Sequence, residues 1–274
     1  MRFTKMHGCG NDYIFVDLVS EPQELAWPRV ARVLSDRHFG IGSDGLILIK
    51  PSATADFSMV MFNADGSEGE MCGNGMRCLA KYVYEHGLTR KHVFAVETKA
   101  GLIKPKLFVE DGQVKLVELD MGKPTVGEES TLNVKGMTLT YIPVSTGNPH
   151  CVIFGFNPDE VDLTVLGPAI SSSPAFPKGV NVEFAQQLEP GRIAVRVWER
   201  GSGETLACGT GACAVGVAAM AKHKCGNEVT ISLKGGNLSV KLREDGHVLL
   251  RGPAVEVFSG QISAELWREI NESS

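Results

Sequence analysis

The sequence predicts an α+β protein of two pseudo-symmetric domains, each a curled, mainly antiparallel, barrel-like sheet around one central helix. Three observations carry that expectation. A motif occurs twice, as Cys72-Gly73-Asn74-Gly75 and Cys208-Gly209-Thr210-Gly211, and each copy opens a helix-patterned run. The motif also sits inside a longer repeat. The two cysteines are 208 − 72 = 136 residues apart in a chain of 274. Phe62 and Trp198 precede them by ten residues, Glu68 and Glu204 by four. Gly10-Asn11 recurs as Gly147-Asn148 at offset 137, Gly101 as Gly236 at 135, and Glu110-Asp111-Gly112 as Glu244-Asp245-Gly246 at 134. Finally, strand-like runs dominate and hairpin turns join them, unlike the βαβ alternation of a doubly wound fold.

Taken in order, Tyr13 to Asp17 reads as a strand after the Gly10-Asn11 turn, and Pro28 to Leu34 as a short helix with proline in its first turn. A tight loop, Gly40 to Gly45, leads into a strand over Leu46 to Ile49, and Met59 to Phe62 is the next. The first motif helix carries Met76, Leu79, Ala80 and Val83 on one face and stops at Gly87. Val93 to Thr98, Lys104 to Val109 and Val114 to Leu119 follow as strands. The polar stretch from Gly122 to Ser130 is the expected junction. The expected domains are 1–120, with 262–274 packing back on it, and 121–261.

In the second half, Tyr141 to Ser145 and Val152 to Phe156 read as strands, then a polar link rich in Pro and Ser runs through Pro177. Val180 to Ala185 and the alternating Ile193, Val195 and Val197 come next. The second motif helix is apolar nearly all round from Ala212 to Ala221, which marks a buried helix. Lys222, His223 and Lys224 are expected in its last turn, before Gly226. Val229 to Leu233, Leu238 to Leu242 and Val248 to Arg251 complete the strands, and Ser263 caps a last helix bearing Leu266, Trp267 and Ile270.

Composition excludes several classes. No run approaches the 18 apolar residues of a membrane span, and Met1 to Lys5 has no export-signal core, so the reading is a cytoplasmic protein with no membrane partner. A net charge of −5 argues against nucleic acid. Seven cysteines at 9, 72, 78, 151, 208, 213 and 225, an odd number in a large chain, argue for free thiols rather than a disulfide framework. Gly40 to Gly45 lacks the Lys-Ser/Thr of a phosphate loop, and no pyridoxal or nicotinamide signature is present, so no cofactor is expected. Zinc is disfavoured because Cys72 and Cys208 lack a Cys-x-x-Cys partner or a His at ligand spacing.

A cysteine at a helix start between glycines sits at the positive end of the helix dipole, where a thiolate is favoured and its pKa lowered. The glycines bare backbone N–H groups that can receive a carboxylate. Buried structural thiols are the alternative for Cys72 and Cys208, and the accepted reading for the other five. One such cysteine per half, with the halves closing face to face, would place a sulfur on either side of a carbon next to that carboxylate. That suits racemisation or epimerisation: one thiolate removes the Cα proton and the opposite thiol returns one. By the repeat, Asn148 and His150 correspond to the region of Asn11, and Glu199 to Asn63.

These motifs resemble the diaminopimelate epimerases. The resemblance rests on Gly10-Asn11-Asp12, Phe62 to Ser67, Met71 to Gly75, Gly147-Asn148-Pro149-His150, Val180-Asn181, Glu199-Arg200-Gly201 and Ala207 to Gly211, and runs from Lys5 to about Gly260. It implies cofactor-independent interconversion of LL- and meso-2,6-diaminopimelate for lysine and peptidoglycan precursors, and a homodimer. It implies that Cys72 is proton donor and Cys208 proton acceptor, with His150 and Glu199 tuning the thiols. The substrate would lie on Asn11, Asn63, Gly73, Asn74, Asn148, Asn181, Glu199, Arg200, Gly209 and Thr210. Some members carry a substrate-contacting Gln where this chain has Gly45, and some a dimer-forming Tyr in the stretch that here reads Phe258-Ser259-Gly260. Proline racemase or hydroxyproline epimerase is the alternative enzyme, although those families resemble Met-Cys-Gly-His-Gly where this chain has Asn74. A non-catalytic binding protein or a thiol redox sensor is the alternative of another class.

Overall fold

The computed structural model describes residues 1–222 and 225–272. The chain divides into two compact units, Met1–Leu119 with Pro253–Ser274, and Asp120–Gly252. In the first unit the elements are β1 (Arg2–Gly8), β2 (Asn11–Asp17), α1 (Trp27–Ser35), β3 (Gly45–Lys50), β4 (Phe57–Asn63), β5 (Glu68–Gly69), α2 (Gly73–Glu85), β6 (Val96–Thr98), β7 (Gly101–Ile103), β8 (Lys106–Glu110) and β9 (Gln113–Asp120). The second unit carries β10 (Thr125–Val126), β11 (Ser130–Val134), β12 (Met137–Ser145), β13 (Pro149–Phe154), α3 (Leu163–Ser171), β14 (Asn181–Glu189), β15 (Arg192–Glu199), β16 (Gly203–Thr205), α4 (Gly209–Ala221), β17 (Glu228–Leu233), β18 (Gly236–Leu242) and β19 (Val248–Gly252). The chain then returns to the first unit as β20 (Val255–Gln261) and α5 (Ala264–Glu272).

The duplication is visible in the pairing. In the first unit β1–β2 is antiparallel, β2–β3 parallel, β3–β4 antiparallel, β4–β6 parallel and β6–β7 antiparallel. In the second, β12–β13, β13–β14, β14–β15, β15–β17 and β17–β18 repeat that alternation in the same order. Each parallel pair is bridged by a helix, so local βαβ crossovers occur inside sheets whose other joins are antiparallel.

The apolar run of β3 is buried on both faces for a simple reason. Leu46 and Leu48 pack with Val30, Ala31 and Leu34 of α1 on one side. Ile47 lies under α2 on the other, where a Cβ on Gly75 would sit 2.4 Å from its Cδ1. In the second unit Val182 and Phe184 pack with Leu163, Leu166 and Ile170 of α3, and α4 is buried from Gly211 to Met220.

The structure corrects several expectations. The polar link through Pro177 contains α3, whose Leu163, Leu166 and Ile170 are buried despite Pro168 within it. Strands β1, β7, β11 and β20 were not anticipated, and the strand expected over Val93 to Thr98 begins at Val96. Helix α4 ends at Ala221 with Lys222 as its C-cap. His223 and Lys224 of the expected last turn lie outside the described residues. Ser263 does cap α5, its Oγ accepting from Leu266 N at 3.1 Å.

Candidate active site

Each unit carries its cysteine as the N-cap of its buried helix. Cys72 is extended (φ −127°, ψ 120°) and its Sγ accepts from Gly75 N at 3.5 Å. Cys208 repeats this (φ −117°, ψ 117°), accepting from Gly211 N at 3.4 Å. A thiol thus occupies the place of the usual capping oxygen. The second glycine of the motif packs closely, since a Cβ on Gly211 would stand 2.9 Å from Glu183 Oε1.

Around Cys72 the contacts come from β2. Its thiol donates to Asn11 Oδ1 at 3.3 Å, and Asn74 Nδ2 donates to the same oxygen at 3.2 Å. Asn11 is turned that way by its own amide, whose Nδ2 donates to Asp44 Oδ2 at 2.7 Å. The Tyr13 hydroxyl also hydrogen-bonds Cys72. Tyr13, Gly45 and Asn63 lie abreast on β2, β3 and β4. Asn63 is exposed at the end of β4, with Nδ2 donating to Ser67 Oγ at 2.9 Å.

Around Cys208 the contacts are richer in titratable groups. Thr210 Oγ1 lies 3.4 Å from the sulfur, and Asn148 Nδ2 donates to Thr210 Oγ1 at 3.4 Å. His150 Nε2 is 3.0 Å from Asn148 Oδ1, and its Nδ1 is 2.6 Å from Glu183 Oε1. Glu199, at the end of β15, accepts from Thr205 Oγ1 at 2.6 Å. The buried Asn181 Oδ1 accepts from Arg200 N at 2.8 Å, and exposed Arg200 donates from Nη1 to Lys178 O at 2.8 Å. Gly73 and Gly209 open the two helices. The predicted residues therefore form two groups, Asn11, Asn63, Cys72, Gly73 and Asn74 in the first unit and Asn148, His150, Asn181, Glu199, Arg200, Cys208, Gly209 and Thr210 in the second.

The expected lowering of thiol pKa is overturned. Burial pushes the Cys72 thiol up, against hydrogen bonds from Tyr13, Gly75 and Asn74. Burial pushes Cys208 well up, the charge of Glu199 adds to it, and the hydrogen bonds of Thr210 and Gly211 oppose it. Desolvation of a thiolate outweighs a half-charge at a helix end. Tyr13, Asp44 and Glu183 belong to these networks beyond the residues expected from the sequence. Glu183 could have been found as a charge inside the apolar run Val180 to Ala185.

Among the described residues, no group of three or more His, Cys, Asp or Glu is placed to hold a metal ion, and no helix is long and apolar enough to cross a membrane. A cavity of about 320 Å³ in the first unit is lined by Phe3, Asp17, Tyr82 and His86, and contains none of the predicted residues.

The family described as diaminopimelate epimerase matches residues 3–127 and 142–257. A diaminopimelate epimerase of Pelotomaculum thermopropionicum is 48% identical over 277 residues, covering 95% of this chain and 98% of the relative. One of Methanococcus maripaludis is 46% identical, covering 96% and 99%. Among solved structures, a phenazine biosynthesis protein of the PhzF family from Bacillus anthracis superposes with a TM-score of 0.77 at 17% identity, covering 96% and 99%. A probable proline racemase from Agrobacterium radiobacter gives 0.72 at 18%, covering 96% and 93%. These two share the fold: two sheet-rich α+β units. From the match of family and relatives over nearly its whole length, the chain belongs to the diaminopimelate epimerase family.

Proposed function

We propose that the protein interconverts LL- and meso-2,6-diaminopimelate by proton transfer at one Cα, with Cys208 as acceptor and Cys72 as donor for the LL isomer. The observation that carries this is the doubled thiol cap: each unit sets one sulfur at the first turn of a buried helix, where bare N–H groups can receive a carboxylate. Inversion by two groups needs one on each face of the carbon. The thiolate takes the Cα proton, the electron pair moves toward the carboxylate held by helix N–H groups, and the other thiol delivers its proton to the opposite face. The enzyme finishes with the two protonation states exchanged, so the reverse reaction starts from that form. Both transfers are made by side chains, and no cofactor enters them.

Gly73, Asn74, Gly209 and Thr210 are assigned to the reacting carboxylate. Asn11, Asn63, Asn148, Asn181, Glu199 and Arg200 are assigned to the remaining polar groups, with the Arg200 fork suited to the distal carboxylate. His150 and Glu199 are assigned to tuning the thiols. We place the protein in the cytoplasm as a homodimer, which sedimentation equilibrium tests.

The deciding experiment is solvent deuterium exchange at Cα of LL-diaminopimelate. Incorporation with formation of the meso isomer is expected, lost in Cys72→Ala and in Cys208→Ala. No incorporation would leave a binding protein or redox sensor, and turnover of proline instead would reassign the substrate.

A further inference from the structure

The two units place different chemistry beneath the same helix start. At offset 136, Glu183 corresponds to Ile47 (183 − 136 = 47), and both are fully buried. Each faces the second glycine of its motif: a Cβ on Gly75 would sit 2.4 Å from Ile47 Cδ1, and one on Gly211 2.9 Å from Glu183 Oε1. An apolar residue therefore satisfies the fold at this place. A carboxyl there costs desolvation and calls for a reason beyond packing.

The proton positions follow from the donor inventory. Asn148 Oδ1 accepts from Thr146 Oγ1 at 3.2 Å and faces His150 Nε2 at 3.0 Å, so Nε2 carries a hydrogen. Nδ1 is 2.6 Å from Glu183 Oε1, so a second proton lies between them. Among the described residues, Glu183 Oε2 is buried with no hydrogen-bond partner. An orphaned carboxylate oxygen away from water is far costlier than an orphaned carbonyl oxygen. The shared proton therefore belongs to Glu183, and burial, which raises its pKa against the pull of His150, agrees.

With that proton placed, every bond runs one way. Glu183 donates to His150 Nδ1, His150 Nε2 to Asn148 Oδ1, and Asn148 Nδ2 to Thr210 Oγ1. Thr210, having accepted, turns its own hydrogen to Cys208 Sγ at 3.4 Å. We propose that Glu183 is a positioning residue for Cys208, held as a neutral carboxylic acid that directs a chain of hydrogen bonds through His150, Asn148 and Thr210 onto the cysteine sulfur. The chain favours the state of Cys208 that accepts a proton, against the burial that opposes it. The other titratable groups facing this chain are Cys151 from β13 and Glu199 from β15. The inference rests on the reading of Cys208 as a working thiol.

The test uses the full chain without substrate, so its failure is separate from failure of the epimerase reading. Nitrogen-15 NMR of labelled histidine, assigned against His150→Gln, should show His150 with a protonated Nε2 and a bare Nδ1. Carbon-13 NMR of labelled cysteine should give separate titrations for Cys72 and Cys208. Glu183→Gln, whose amide can donate to Nδ1 in the acid's place, should leave the Cys208 midpoint where it is. Glu183→Leu removes the donor and should raise that midpoint by about one pH unit, a tenfold loss of thiolate, with Cys72 unmoved. An imidazolium at His150 in the unsubstituted protein overturns the proposal. So does a Cys208 midpoint that ignores Glu183→Leu, shifts equally at both thiols, or moves as far in Glu183→Gln as in Glu183→Leu.

Discussion

Gly45 is the only residue of β3 whose side chain has been given up, and its neighbours say why. A Cβ there would stand 2.2 Å from the Phe62 carbonyl oxygen and 3.2 Å from Tyr13 Cε1. The first contact is with backbone paired in a central strand, which cannot turn aside. Gly45→Gln, the residue some relatives carry by the sequence resemblance, should therefore destabilise this chain by about 2–4 kcal/mol in urea unfolding. An unchanged midpoint would mean that β4 yields. Asp12 makes a second prediction at this scale. Burial pushes its carboxyl up, but hydrogen bonds from Arg37 and Lys5 more than offset this and hold it below its usual 3.8. A carboxyl lowered by folding stabilises fully above its unfolded value, and that share is lost as pH falls through the folded one. Stability measured from pH 5 down to 2 should fall less steeply in Asp12→Asn than in the parent chain. The cysteine motifs were legible because their glycines and spacing are local facts. Glu183 stands out as a charge in the apolar run Val180 to Ala185, but its partner His150, like Cys72 beside Tyr13, comes from another element and is set only by the fold. The direction of the thiol pKa was misread because burial depth belongs to the folded chain.

Among elements, α3 teaches most about what a sequence conceals. Its sequence reads as a link because Pro168 lies inside it and a serine run ends it, and a proline at that place removes the bond its N–H would make to Thr164 O. Yet the repeat marks it: α1 spans Trp27–Ser35 and α3 Leu163–Ser171, so 163 − 27 and 171 − 35 are both 136. The helix pattern of α1 at offset 136 is thus the sequence signal for α3. The short edge strands escaped notice for a different reason, since two or three residues carry no period. Helix α4 was the most legible, being apolar all round, but its glycine at 216 has a role that only packing reveals. A Cβ there would lie 2.7 Å from Val240 Cγ1 and 2.9 Å from Val240 Cβ. Gly216→Ala would gain about 1 kcal/mol of helix propensity. Gly216→Val lacks most of that gain and adds two methyls against β18, so it should lower stability by about 2 kcal/mol or more. Thermal unfolding with a Tm at or above that of the parent chain would show that the helix can lift away.

For the whole molecule, the duplication is where sequence and structure agree best, since one order of pairs occurs twice, although the parallel joins in that order depart from the antiparallel hairpins expected. Five matches in order were enough to imply duplication, because a duplicated unit must satisfy the same pairing twice. One asymmetry remains. The second unit is a continuous stretch, Asp120–Gly252, whereas the first is built from both parts of the chain that flank it. Strand β20 pairs with β1 from Arg2↔Gln261 to His7↔Val255, and Ile262 and Ile270 complete the core around Phe3 and Ile14. A chain ending at Gly252 should therefore keep protease resistance in the second unit and lose it in the first; equal resistance in both would show that β20 and α5 are dispensable.

The same pairing sets an order on synthesis. Residues leave the ribosome from the amino terminus, so β1 emerges first and must wait for β20 while some 250 residues are made between them, tens of seconds at about 5–20 residues per second. During that interval the edge of β1 is an unpaired strand, open to a neighbouring nascent chain on the same message. The second unit, though translated later, has all of its residues before the first does. It is the part of this protein that can fold while still tethered, and the amino-terminal half is the part that a holding chaperone would have to shield.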